Sequence, residues 1–132
     1  MKSREGLIRL KRFQVDEKRR QVTQIETMIA EFERMAKDLD DQINAEQERS
    51  GIRDASHFAY PTFAKAAMQR RDNLLASAKE LREQLAAAQA DCAEAVEELE
   101  KIQAIADRDH ANDRAADVAA GDGTRSASAF AR

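Results

Sequence analysis

Apolar residues recur every seven positions in the first part of the chain, at Ile8, Val15, Val22, Ile29, Ala36 and Ile43. Ile25, Phe32 and Leu39 complete an alternating three-and-four spacing. A second run does the same through Leu74, Ala78, Leu81, Leu85, Ala88, Cys92, Ala95, Leu99, Ile102 and Ala106. Each run predicts an α-helix carrying one apolar stripe. The two runs also match each other in reverse. With the first series taken as a positions, the facing d positions of an antiparallel partner become Ile102, Ala95, Ala88, Leu81, Leu74 and Ala67, and the residue numbers of each facing pair sum to 110. In the same register Ile25 faces Leu85, Phe32 faces Ala78 and Leu39 faces Arg71. A large ring opposite an alanine lets such a seam interdigitate without overpacking. The pattern therefore predicts an all-α fold, a long two-helix antiparallel coiled-coil hairpin over residues 1–109.

Local signals place its elements. Helix 1 is expected over about 3–49, with Ser3 as N-cap and Ser50-Gly51 as the stop. The loop, about 50–61, holds Gly51, Asp54, Ser56 and Pro61. Residue 55, the midpoint that the register requires, falls inside it. Helix 2 is expected over about 61–109, with Pro61 in its first turn, where a missing N–H costs nothing. Residues 110–132 lose the period and gain small and polar residues, which predicts a disordered C-terminal tail.

Composition narrows the class. Of 132 residues, 36% are charged and 5% aromatic, with one proline, four glycines and no tryptophan. Those proportions suit a coiled coil and disfavour a compact α/β enzyme. No apolar run reaches transmembrane length, and Arg9, Lys11 and Arg12 interrupt the apolar residues from Leu7 to Phe13, so neither a membrane span nor a signal peptide is expected. The expected location is cytoplasmic. Cys92, the only cysteine, occupies a seam position and reads as a small buried core residue.

The charges support the antiparallel order. Lys11 and Lys18 weaken the seam by taking d positions opposite Leu99 and Cys92. Residues 1–20 carry eight basic and three acidic side chains, a net +5, whereas the facing residues 90–109 carry two basic and seven acidic, a net −5. These blocks attract only if the helices run in opposite directions.

Candidate chemistry is sparse. His57 in the loop and His110 past the second heptad run lie far apart in a hairpin, and neither has a second ligand at metal spacing. No glycine-rich phosphate loop and no nucleophile beside a base occur. No catalytic residue, metal or cofactor is expected, and the protein is not expected to be an enzyme. A net charge of −3 also argues against nucleic acid as a partner.

Three segments have the composition of contact surfaces. The first interleaves Leu7, Leu10 and Phe13 with Arg4, Arg9, Lys11, Arg12, Arg19 and Arg20. It reads either as an amphipathic helix end paired with the acidic block or as the docking site of a protein partner. The second is Phe58, Tyr60 and Phe63, three of six aromatic residues within six positions. They either staple the loop closed or anchor a partner. The third is Gln69-Arg70-Arg71-Asp72, where Arg71 stands at a seam position and either bridges to Asp38 or Asp40 or reaches out to a partner.

The opening Leu7-Ile8-Arg9-Leu10-Lys11-Arg12-Phe13-Gln14-Val15-Asp16-Glu17-Lys18-Arg19-Arg20, with Ala59-Tyr60-Pro61-Thr62-Phe63 and Gln69-Arg70-Arg71-Asp72, resembles the FliJ family. This is the small coiled-coil soluble component of the bacterial flagellar type III export apparatus. The resemblance covers about residues 1–110 and is nearest to the α-proteobacterial members. It implies a coiled coil similar to the rotor stalk of rotary ATPases, needed for flagellum assembly and motility. The terminal end would enter the hexameric export ATPase, with Leu7, Arg9, Leu10, Lys11, Arg12 and Phe13 as the contact. Phe58, Tyr60, Phe63 and Arg70 would meet the cytoplasmic domain of the membrane export gate, and export chaperones would also bind. The family's gate-facing patch includes aromatic residues late in helix 1, and here Asp40 to Arg49 has none. A stalk of this kind is expected to be a monomer, peripherally associated with the inner membrane at the flagellar base without inserting into it. The competing expectation is an unrelated cytosolic coiled-coil adaptor that acts as a homodimer through its spare apolar positions Leu7, Met28 and Met35.

Overall fold

The computed structural model describes the backbone of residues 2–130 and the side chains of residues 3–120. Its regular elements are two α-helices, α1 (Lys2–Ser50) and α2 (Thr62–Phe130), packed as an antiparallel two-helix hairpin. Ser3, expected as the N-cap, is instead the second residue of α1.

The helix ends follow from local chemistry. Gly51 takes φ +74°, the left-handed conformation that closes a helix, and its N–H donates to the Gln47 carbonyl at 2.8 Å. The Ile52 N–H then donates to Ser50 Oγ at 3.2 Å. A chain of tight turns carries the backbone on to α2. Asp54 Oδ1 accepts from the Ser56 hydroxyl at 2.7 Å and from its N–H at 3.0 Å. The His57 N–H donates to the Asp54 carbonyl at 3.1 Å, and the Tyr60 N–H to the His57 carbonyl at 3.0 Å. The Ser56 hydroxyl, followed by its N–H, holds the Asp54 carboxyl below its ordinary 3.8. Pro61 sits one residue before α2, and its carbonyl accepts the Lys65 N–H at 3.1 Å. A proline is suited to this position, because no helical bond there needs its N–H.

The chain forms two compact units, Met1–Asp16 with Ala93–Arg132, and Glu17–Cys92. In the Glu17–Cys92 unit the heptad positions are the buried ones: Ile29, Ala36, Leu39 and Ile43 from α1, and Ala64, Ala67, Ala78, Leu81 and Ala88 from α2. Leu39, Ile43 and Ala67 form one cluster, with Met68 and Leu74 packed against it. Ile43 and Ala67 are a pair that the reverse register predicts. Ala78 is fully buried opposite the half-buried Phe32, the large-against-small arrangement expected there. Between the helices Arg82 pairs with Glu33, and Lys18 Nζ lies 4.0 Å from Asp91.

In the other unit Ile8, Val15 and Ala106 are buried. Lys11, at its seam position, turns its Nζ outward to Glu98 at 3.0 Å, Arg12 donates to Gln103 Oε1 at 3.2 Å, and Arg4 pairs with Asp109. Exposed pairs of this kind contribute about 0–1 kcal/mol each, against about 1.5–3 kcal/mol for burying one large aliphatic side chain. The seam therefore supplies the stability, while the opposed charges select the helix direction.

The expected tail is the main difference. α2 continues past Asp109 to Phe130, and residues 131 and 132 lie outside the described residues. Residues 111–120 are helical and exposed, and half of them are alanine. Alanine has the highest intrinsic helix propensity, so loss of the heptad marked the end of the seam and not the end of the helix.

Two glycines give predictions of opposite sign. A methyl group at Gly6, inside α1, would meet nothing within 4 Å, so Gly6→Ala is expected to stabilise the fold by about 0.5–1 kcal/mol in urea denaturation. Gly51→Ala meets equally open space but must hold a positive φ, and is expected to destabilise it by about 1 kcal/mol.

Candidate functional site

Within the Met1–Asp16 and Ala93–Arg132 unit, the side chains from Leu7 to Phe13 divide by helical phase. Ile8 and Val15 face α2 and are buried, so the residues on the other side of the turn must face away from it. Leu7, Leu10 and Phe13 are 41%, 51% and 59% exposed. Arg9 is also exposed and has no ion-pair partner among the described residues. Lys11 and Arg12 are instead engaged by Glu98 and Gln103 of α2. The six residues of the expected ATPase contact thus split into four that face outward and two that hold the helices together.

Beside this face lies an open groove of about 700 Å³. Ile8 and Ala106 give it apolar surface, and Arg4, Arg9, Arg12 and Asp109 give it charge. Such a surface can bind by apolar contact within a border of mixed charge, since Glu5, Asp109 and Asp113 line it beside the three arginines. It brings together no nucleophile and base. Among the described residues no three His, Cys, Asp or Glu side chains converge on a point where a metal could sit.

In the Glu17–Cys92 unit the loop aromatics part company. Tyr60 is buried, its hydroxyl accepting from Gln47 Nε2 at 2.9 Å and donating to Met68 Sδ at 3.3 Å. This ties the end of α1 to the start of α2 through the loop. Phe58 is 97% exposed, with its ring stacked on His57 at a centroid distance of 4.7 Å. The His57 ring is held in turn by the Ala59 N–H, which donates to Nδ1 at 3.0 Å. Phe63 and Arg70 are exposed as well. Of the four residues expected at the gate contact, Tyr60 is thus turned inward as a staple while Phe58, Phe63 and Arg70 face solvent.

Arg71, of the two reaches open to it, takes Asp40, at 2.7 Å, and also bonds Asp72 at 3.0 Å. The Asp40 hydrogen bond is the main reason its guanidinium titrates above the ordinary arginine value. Cys92 is half-buried and not fully enclosed, since the facing seam position is a lysine, Lys18. Gln47 is the residue that pattern reading passed over. It adjoins the last seam turn of α1, and an amide there beside a loop tyrosine was the available signal.

No known family model, curated protein or solved structure matches this chain. No helix among the described residues is long and apolar enough to cross a membrane.

The split of the loop aromatics is testable by denaturation. Tyr60→Phe removes one hydroxyl from a part-buried pair of hydrogen bonds and is expected to cost about 1 kcal/mol. Phe58→Ala is expected to change stability by less than about 0.5 kcal/mol.

Proposed function

We propose that this chain is a non-catalytic stalk of the FliJ type in bacterial flagellar protein export. The observation that carries the reading is the outward face of Leu7, Arg9, Leu10 and Phe13, on a helix whose inward stripe is already satisfied by α2. Three large apolar side chains within seven residues, bordered by arginine, form a patch that a monomeric coiled coil does not need for folding. The antiparallel hairpin and the sequence of the opening segment agree with the same reading. On it, the face docks in the hexameric export ATPase. Phe58, Phe63 and Arg70 are left for the cytoplasmic domain of the export gate, with Tyr60 holding the loop that presents Phe58. Export chaperones are further partners, and the protein works on the cytoplasmic side of the inner membrane at the flagellar base.

A stalk without chemistry acts by differential binding. It shifts its partner's equilibrium only as far as it binds one state more tightly than another, with about 1.4 kcal/mol for each factor of ten. Apolar side chains held on a helix lose little further conformational freedom when they dock, which favours a tight differential contact.

Leu10→Asp combined with Phe13→Asp is expected to lower stimulation of the purified export ATPase at least tenfold. Circular dichroism should report unchanged helix content, because both side chains are exposed. Deletion of residues 2–14 is expected to abolish stimulation. Full stimulation by either variant would contradict the assignment of this face.

A further inference from the structure

The two flanks of the seam in the Glu17–Cys92 unit differ in chemistry. On one flank α1 presents Glu26, Glu33 and Asp40, and the latter two are joined to Arg82 and Arg71 of α2. On the other, α1 presents Gln21, Met28, Met35 and Gln42 at heptad spacing, all exposed and none charged. Met28 and Met35 are 41% and 43% exposed. In the same register Phe63, Arg70, Ser77 and Gln84 are the α2 residues on this flank, and Arg70 beside Met35 is the one charge among them.

The order Gln-Met-Met-Gln reads the same in both directions. A two-fold axis crossing α1 midway between Met28 and Met35 would set Met28 against Met35 of a second copy, and Gln21 against Gln42. Thioether then meets thioether, and each amide meets an amide able both to donate and to accept. An isologous interface requires such self-complementarity; the stripe itself is uncharged, and the like charges nearest the axis are the exposed Glu31 side chains of the two copies. On the charged flank the same operation about Glu33 would set acid against acid, Glu26 against Asp40.

We propose that this flank is a self-association surface, through which two copies of the chain pair side by side and antiparallel by Gln21, Met28, Met35 and Gln42. The stripe spans about 32 Å at 1.5 Å per residue. One helix flank of that length is at the small end of specific interfaces, so the pair is weak and forms only at high concentration. The proposal uses no residue from Leu7 to Phe13, and a pair that forms only at high concentration is compatible with a stalk that works as a monomer, whereas a stable dimer would favour the adaptor reading.

Sedimentation equilibrium on the full chain, from low micromolar to several hundred micromolar, tests it. The expected result is a concentration-dependent shift from monomer towards dimer. Met28→Glu with Met35→Glu should weaken that shift at least tenfold at unchanged helix content, while Leu75→Glu on the charged flank should leave it intact. A wild-type chain that stays monomeric throughout would overturn the proposal. So would an equal loss of association in the Leu75→Glu chain. Direction is read separately in a Cys92→Ala background by oxidising a mixture of Met28→Cys and Met35→Cys chains. Antiparallel pairing predicts that the mixed disulfide dominates, and dominance of the two self-disulfides would overturn the geometry.

Discussion

The antiparallel seam is the constraint on which the rest of this protein depends. One residue per helical turn faces the other helix, and fixing any single pair fixes them all. Ile43 against Ala67 in the Glu17–Cys92 unit is such a pair, and the positions that follow from it at heptad spacing are the ones found buried or half-buried. Once the register is set, each remaining side chain is assigned to a flank or to the outer surface. The outward Leu7, Leu10 and Phe13, the paired acids of one flank and the uncharged methionine stripe of the other are all consequences of that phase. Polar contacts ride on the seam. Lys11 occupies a position that ought to be apolar, and the structure accommodates it by extending the side chain to Glu98 so that the charge stays near solvent.

The fold was largely legible in the sequence because a two-helix seam is written in one dimension. A period of seven, a reversal and opposed charge blocks are visible without three-dimensional information, and each constrains the same register. The features that escaped are those set by contacts with no period. Tyr60, Phe58 and Phe63 are alike in type and close in sequence, yet one is buried and two are exposed. That outcome depends on Gln47 donating to the tyrosine hydroxyl and Met68 accepting from it, and no spacing rule brings those two to the loop. The extent of α2 escaped for the opposite reason. Periodicity reports a packing partner, and an alanine-rich stretch can be helical without one, as residues 111–120 are.

The candidate sites divide along the same line. Phase alone separates Leu7, Arg9, Leu10 and Phe13 from the seam, so the outward face could be drawn in advance. The engagement of Lys11 and Arg12 by α2 could not, because it depends on which long side chain of the basic block meets which acceptor. Two basic residues thought to face a partner are committed to Glu98 and Gln103, which leaves the apolar residues as the larger part of the face.

The central functional claim is that the Leu7–Phe13 face engages an ATPase ring. A photoreactive phenylalanine analogue in place of Phe13 tests it most directly, in cells of the parent organism, with the same analogue in place of Phe58 as the internal comparison. The account predicts that the Phe13 position cross-links to the flagellar export ATPase and that the Phe58 position does not. Cross-linking of the ATPase from the Phe58 position alone, or from neither position, would contradict it.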